Sequence, residues 1–198
     1  MSWIKPVVLQ GKHVTLELLA HVHHDALVEA VKDGDLWQVW YNNHLPAPEQ
    51  VSSYIQRYLD SFLTGTLLPF AVIDNGSGRA VGVTLYLNTD AANHRLEIGG
   101  TWYRQSVQRT AVNTETKLLL LAHAFEQLDC IAVEFRTHYF NRQSRQAIER
   151  LGAKLDGILR NHRVLANGTL RDTCVYSVIN TEWPTVKAGL EWQIQKPR

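Results

Sequence analysis

Residues 108–127 read QRTAVNTETKLLLLAHAFEQ, a polar turn and a run of capping side chains followed by a long apolar helix face. Thr110, Asn113 and Thr114 are candidate caps. Leu118, Leu121, Ala122, Phe125 and Leu128 recur at helical spacing and form the face to be buried. A helix start of this kind carries N–H groups with no partner inside the helix, so it attracts anions. The turn contains no glycine. Glycine serves such loops by reaching positive φ and by removing a Cβ from the ligand's path. Neither is needed where the turn has near-helical dihedrals and its amides face the ligand. Ala111 adds one methyl group, and Asn113 tolerates left-handed geometry. Lys117 lacks the glycine spacing of a P-loop, and a dinucleotide fingerprint is excluded by the same absence. Taken alone, the stretch is either an anion-binding loop or a capped amphipathic helix.

Outward from that helix, strands and helices follow one another without a linker, a repeat or a low-complexity tract. RLEIGGTWY (95–103) precedes it as a strand, and CIAVEFRTH (130–138) follows it as a buried strand. A second helix runs from about residue 141 to 151 and stops at Gly152. Residues 157–179 read as two strands joined at Asn167-Gly168, a strong hairpin signal. Upstream, Val14, Leu16 and Leu18 alternate as on a half-buried strand. A helical stretch from His21 to about Lys32 ends at Asp33-Gly34-Asp35. The aromatic segment LWQVWYNNHLPAPEQ (36–50) is broken by Pro46 and Pro48 and reads as a loop or broken helix. A helix from Glu49 to Leu63 and the strands PFAVID and AVGVTLYLN, joined by NGSGR, come next. The tail from Glu182 to Ile194 reads as a helix packing Trp183 and Trp192. The whole chain, residues 1–198, is expected to be a single α+β domain with a short C-terminal tail from about residue 181.

Composition narrows the function. The 198 residues, 45% hydrophobic and 20% charged, suit one soluble globular domain. A chain of this length buries about 70% of its unfolded surface and needs no disulfide or metal staple. A formal net charge of +1 predicts no general affinity for nucleic acid or an anionic membrane. No apolar run reaches signal-peptide or membrane-span length, which makes a cytoplasmic location the expectation. Cys130 and Cys174 are expected to be buried free thiols. His21, His23 and His24 cluster without a carboxylate or cysteine at ligand spacing. They read as a solvated helix end, and no metal is expected.

The order of strand, polar turn, long helix and strand, followed by FNRQSRQAIERLGA (140–153), resembles the GNAT superfamily of acyl-CoA-dependent N-acetyltransferases, and more narrowly its RimJ/RimL-type branch. Asn141 and Ser144, Leu151-Gly152, and the closing pairs Arg171-Asp172, Tyr176-Ser177 and Glu182-Trp183 carry the likeness. It extends from about Leu9 to Trp183. The family's Q/R-x-x-G-x-G/A loop matches at Gln108 and departs at Ala111 and Asn113. The resemblance implies a mixed, mostly antiparallel central sheet flanked by helices and splayed at an acyl-CoA site. Gln108, Arg109, Thr110, Ala111, Val112, Asn113 and Thr114 would then hold the pyrophosphate of acetyl-CoA. Trp102, Tyr103 and Arg104 would offer backbone groups to the pantetheine and the thioester. Gly99-Gly100 suits a bulge there. Arg104, Arg109, Lys117, Arg142 and Arg145 lie toward the phosphate end, with Arg109 and Lys117 the better candidates by proximity.

Glu97 is the candidate base, its neighbours Leu96 and Ile98 facing the other side of the strand. The alternative for Glu97 is an ion pair with Arg95 or Arg136. The tyrosine that many family members use as the acid aligns with Ile148, so the resemblance passes that role to Ser144, with Tyr139 a second candidate. Ser144 could equally be a helix cap. Asn141 would hold a pantetheine amide or backbone, with capping as its alternative. The acceptor would be a primary amine, a peptide N-terminus or a small molecule. It would be lined by Trp37, Trp40 and Tyr41, the 88–95 loop and the final hairpin, although the same aromatics could equally be core residues covering the sheet. A non-catalytic acyl-CoA sensor is the other function these residues allow. A homodimer is common for this fold.

Overall fold

The computed structural model describes residues 3–41 and 45–196, so Asn42, Asn43 and His44 of the aromatic segment lie outside the described residues. Its strands are β1 (Leu9–Gln10), β2 (Val14–Leu18), β3 (Leu68–Asp74), β4 (Arg79–Asp90), β5 (Arg95–Tyr103), β6 (Ala132–His138), β7 (Lys154–Val164) and β8 (Leu170–Ile179). Its helices are α1 (His24–Lys32), α2 (Val51–Leu63), α3 (Ala111–Glu126), α4 (Arg142–Arg150) and α5 (Trp183–Gln195). The strands form one open sheet in the order β1-β2-β3-β4-β5-β6-β8-β7, and every described pairing is antiparallel except β5–β6. The mixed α+β architecture anticipated above is therefore the one adopted.

The central pairing sets up everything that follows. β5 and β6 are joined by α3 as a parallel crossover, yet only Arg95, Leu96 and Glu97 pair with Ala132, Val133 and Glu134. Beyond Glu97 the two strands part, and β5 runs on for Ile98–Tyr103 with β4 as its strand partner. Within that stretch Val83 faces Trp102 while Leu85 faces Gly99, so β5 carries an extra residue. Gly100 has φ +58, and a Cβ there would collide with Leu85. This is the bulge that the glycine pair implied.

The two faces of the sheet are finished differently. α3, α4 and α5 cover one face with a core that includes Leu96, Ile98, Leu120, Leu121, Val133, Phe135, Tyr176 and Trp183. α1 and α2 cover the other face only over β3–β5, where Ala71, Val83, Leu85 and Trp102 meet Leu27, Val31, Tyr54 and Ile55. On β6 and β8 this second face carries Glu134, Arg136, His138, Arg171, Thr173 and Ser177, the residues alternating with the core set. An apolar half and a polar half thus meet at β5.

Several local expectations need correction. α3 packs on both the sheet and α5, so its buried stripe is broader than one face. Leu120 and Ala124 are fully buried with Leu121, whereas Leu118, Ala122 and Leu128 are half-buried. Trp183 is buried but Trp192 is 61% exposed. Nine residues at 100° each place the two indoles on opposite sides of α5, so they cannot both face the core. His23 is not solvated. It is buried, its Nδ1 accepting from the Ala20 N–H at 3.0 Å and its Nε2 lying 2.8 Å from Glu17. Cys130 and Cys174 are free and buried, as anticipated.

Glu115 carries a role the periodicity did not reveal. Buried in the second turn of α3, it accepts backbone N–H bonds from Lys12, His13 and Val14 at 2.9, 2.6 and 2.8 Å. It thereby ties the loop before β2 to the central helix, and a side chain at Gly11 would collide with it.

Candidate acyl-transfer site at the splayed strands

Thr110 caps α3. Its Oγ1 accepts from the Val112 N–H at 3.3 Å and donates to the Val107 carbonyl at 2.6 Å. The left-handed residue of the turn is Arg109, at φ +62. Ala111 and Asn113 already lie within α3, which is why neither position requires glycine. Asn113 and Thr114 are therefore not the caps. The Gln108 side chain donates to the Tyr103 carbonyl at 3.1 Å and accepts from Gln143 at 3.2 Å, linking the end of β5 to α4 across the splay. The N-termini of α3 and α4 thus open on the same gap between β5 and β6.

Asn141 caps α4, its Oδ1 accepting the Ser144 N–H at 3.0 Å. Capping thus belongs to Asn141, and the Ser144 hydroxyl is not the cap. Arg145 lies over the Tyr139 ring at 4.9 Å and donates to the Tyr176 hydroxyl at 3.0 Å, which holds Tyr139 beside the start of α4. Of the candidate phosphate cations, Arg104 is instead paired with Asp33 at 2.8 Å. Trp102 and Tyr103 turn their side chains into the cores, and the Trp102 Nε1–H donates to Tyr54 at 2.9 Å. Whatever these two residues offer a ligand, they offer through the backbone.

Lys117 is the clearest departure from expectation. It is buried, and its Nζ donates to Thr101 at 2.7 Å, with Thr84 at 3.4 Å. Seven residues into the helix axis from Thr110, it points into the sheet and away from the helix start. Burial pulls its ammonium down to about 7.

Glu97 sits where the strands part, on the face opposite Leu96 and Ile98, and is buried. Its Oε2 accepts from Asn88 at 2.7 Å and lies 3.6 Å from Arg136. Asn88 occupies the left-handed region at φ +46, where β4 bulges against β5. Burial raises the Glu97 carboxyl above its ordinary value, while Arg136 and Asn88 pull it partly back. Arg95 pairs with Glu134 at 2.7 Å, leaving Arg136 as the ion-pair partner of Glu97 among the described residues. The sequence placed Asn88 only at the junction of the strand AVGVTLYLN and the loop that follows, with no sign of this contact.

Trp40 and Tyr41 pack on the end of β6. Their ring centroids lie 5.5 and 5.7 Å from that of His138, and Phe140 lies 5.7 Å away on another side. These aromatics therefore cover the His138 end of the polar half of the sheet, with Trp40 exposed.

A parallel pair that opens midway, a bulge on its first strand and two helix N-termini at the gap define an acyltransferase of the GNAT architecture. The Acetyltransferase (GNAT) domain model matches residues 13–154, and the chain belongs to that family of N-acetyltransferases. Within it, the likeness is to the ribosomal-protein N-acetyltransferases of the RimJ/RimL branch. The chain is 24% identical over 177 residues to "Putative ribosomal N-acetyltransferase YdaF" of Bacillus subtilis (strain 168), covering 87% of this chain and 94% of that protein. A GCN5-related N-acetyltransferase from Brucella melitensis superposes with TM-score 0.87 and 30% identity, over 96% of this chain and 86% of that one. The fold is also that of the Salmonella typhimurium acetyl transferase described as modifying the N-terminal serine of 50S ribosomal subunit protein L7/L12. There the TM-score is 0.75 at 18% identity, over 87% of this chain and 99% of that one. Among the described residues no group of histidine, cysteine, aspartate or glutamate could hold a metal ion, and no helix is long and apolar enough to cross a membrane.

Proposed function

We propose that this single acetyltransferase domain moves an acetyl group from acetyl-CoA to a primary amine by direct attack. The observation that carries the reading is the buried Glu97 carboxyl at the point where β5 and β6 part, with its proton affinity raised by burial. The gap fits acetyl-CoA: the thioester end meets the partnerless edge of β5 at its bulge, and the phosphates meet the free amides at the start of α3. Gln108, Arg109, Thr110, Ala111, Val112, Asn113 and Thr114 form the phosphate end, while Trp102, Tyr103, Arg104 and Asn141 hold the pantetheine.

The amine nitrogen attacks the thioester carbonyl carbon, forming the C–N bond as the C–S bond breaks. Glu97, directly or through water, takes the proton the amine loses, and the departing thiolate takes a proton delivered at Ser144 or Tyr139. A neutral amine is required. An α-amine, with pKa about 7.7–8.0, supplies it more readily than a lysine side chain near 10.4. That favours a protein or peptide N-terminus, in line with the ribosomal N-acetyltransferase name of the Bacillus protein and the N-terminal serine that the Salmonella protein modifies.

The test is acetyl-CoA-dependent thiol release against free-α-amine peptides, α-blocked lysine peptides and small amines. Turnover on the first panel is expected. Silence on all three with acetyl-CoA bound in calorimetry would favour a sensor, and absence of binding would defeat the assignment of the α3 start.

A further inference from the structure

Arg163 on β7 and Arg171 on β8 stand directly opposite each other in the strand register. Like charges in that position repel and lower the stability of a hairpin. The Glu97 carboxylate attracts both, but it is shared with Arg136. Neither arginine forms an ion pair among the described residues. The adjacent carboxylate, Asp172, is taken up by the Arg160 guanidinium at 2.6 Å and the Asn161 N–H at 2.7 Å. Arg171 is only partly exposed, and its Nε donates to the Thr173 hydroxyl at 3.0 Å. That bond holds Arg171 on the face shared by Thr173, Arg136 and Glu97. Across this polar half four guanidiniums share two carboxylates: Arg95 and Arg136 pair with Glu134 and Glu97, while Arg163 and Arg171 feel Glu97 without an ion pair among the described residues.

A second donor lies beside them. His138 pairs with Thr173 in the β6–β8 register and is buried. Its Nδ1 accepts the Phe140 N–H at 3.1 Å, so a neutral ring carries its hydrogen on Nε2. Among the described residues that buried nitrogen has no hydrogen-bond partner. The field of Arg171 and the cost of burial both disfavour protonation of this ring. Two guanidiniums without an ion pair and a donor without a partner among the described residues therefore lie at neighbouring register positions of the same face. An unpaired buried donor and facing like charges are costly features, and an anion offsets both.

We infer that Arg163, Arg171 and His138 form a subsite for a carboxylate carried by the amine acceptor, so that the enzyme selects peptides with an acidic side chain in their first two residues. The inference rests on the acetyltransferase reading of Glu97. Spacing sets the position of the acid. β8 and β7 lie two and three strands from β5, at least about 10 and 14 Å between backbones where β5 and β6 have parted, and an arginine side chain spans roughly half of that. The carboxylate therefore binds one to two residues' reach from the attacking nitrogen, farther than the α-carboxylate of a free amino acid extends.

Matched peptides with a free N-terminus, carrying Asp or Asn at position one or two, test this. Acetylation of the Asp peptide is expected to be at least tenfold more efficient than of its Asn twin, the difference lying in KM and shrinking as salt rises. Arg163→Gln, at an exposed position that leaves the fold intact, and Arg171→Gln should each bring the Asp/Asn ratio toward one, and Arg163→Lys should restore most of it. If the arginines only tune Glu97, both variants shift the acid limb of the pH profile equally for the two peptides and leave the ratio unchanged, which overturns the subsite. Equal efficiency on Asp and Asn peptides, or preference for free amino acids over peptides, overturns it as well. Failure to acetylate any amine would instead break the acetyltransferase reading beneath it.

Discussion

Glu97 and Lys117 are two buried ionisable groups set against opposite faces of the same strand. Glu97 projects from β5 toward the polar half of the sheet. Lys117 reaches β5 from α3 and touches Thr101 from the other side. Burial pushes both toward the neutral form, raising the carboxyl and lowering the ammonium to about 7. What separates them is company and access. Glu97 has a cation and an amide donor arranged on it and borders the opening between β5 and β6. Lys117 has two hydroxyls and the core of α3. A displaced proton affinity marks a candidate site only when a substrate can reach the group, so Glu97 is the base we propose and Lys117 belongs to the framework.

The largest expected consequence of that distinction is kinetic. Glu97→Gln keeps the shape and the Asn88 contact but removes the proton acceptor. kcat/KM for acetyl transfer should fall roughly 10²–10³-fold, with acetyl-CoA affinity measured by calorimetry nearly unchanged. A fall of threefold or less would move the base elsewhere.

Lys117→Met should act on stability instead. For the lysine, the folded state disfavours the proton. Stability is therefore full above the unfolded value of 10.5 and is lost as pH falls to about 7. A displacement of that size corresponds to about 5 kcal/mol. Methionine removes this cost but also the bond to Thr101, so a net gain of about 2 kcal/mol is expected at neutral pH. Denaturant midpoints at pH 7 and pH 10 check it, since the gain should fade at the higher pH. Glu97 has the opposite sign: its raised proton affinity makes stability fall as pH rises from 4.5, where the unfolded carboxyl titrates, to its higher folded value.

The difference between the two groups was only half legible in the sequence. Alternation placed Leu96 and Ile98 on one face and Glu97 on the other, because period two leaves no third choice. Gly99-Gly100 announced a bulge because few other residues fit one. Lys117 resisted the same reasoning. It follows a helix start by six positions, and sequence proximity to the loop says nothing of which side of α3 it takes when that helix is buried on two sides. The crossed pairs that build the polar face were equally hidden. Arg163 meets Arg171 only after the irregular register around Asn161, at φ +48, is known. Glu115 reaches a loop about a hundred residues away, and no local pattern encodes that contact.

Arg136→Gln sharpens the comparison from the side of Glu97. Its guanidinium opposes the effect of burial on the carboxyl. Its removal should raise the Glu97 proton affinity further and carry the acid limb of the kcat/KM profile to higher pH. A movement of one pH unit, about tenfold in rate on that limb, would show in a pH–rate series, whereas the plateau should change little. A limb that stays in place would mean that Arg136 serves Glu134 alone, to which it donates at 2.8 Å.

The smallest effect belongs to Thr101→Val, and it tests whether Lys117 has the isolation ascribed to it. Valine preserves the volume and removes the 2.7 Å acceptor, leaving Thr84 at 3.4 Å as the partner of the amine. In the native background this should cost about 1 kcal/mol. In the Lys117→Met background the hydroxyl has no amine to serve, and the same substitution should cost little. The double-mutant cycle therefore isolates one contact between neighbours, where additivity is expected to fail. A coupling of about 1 kcal/mol would fix Lys117 as a member of a closed hydroxyl network under the bulge. Additive effects would mean that the amine has another partner in solution and that its burial is less complete than that of Glu97.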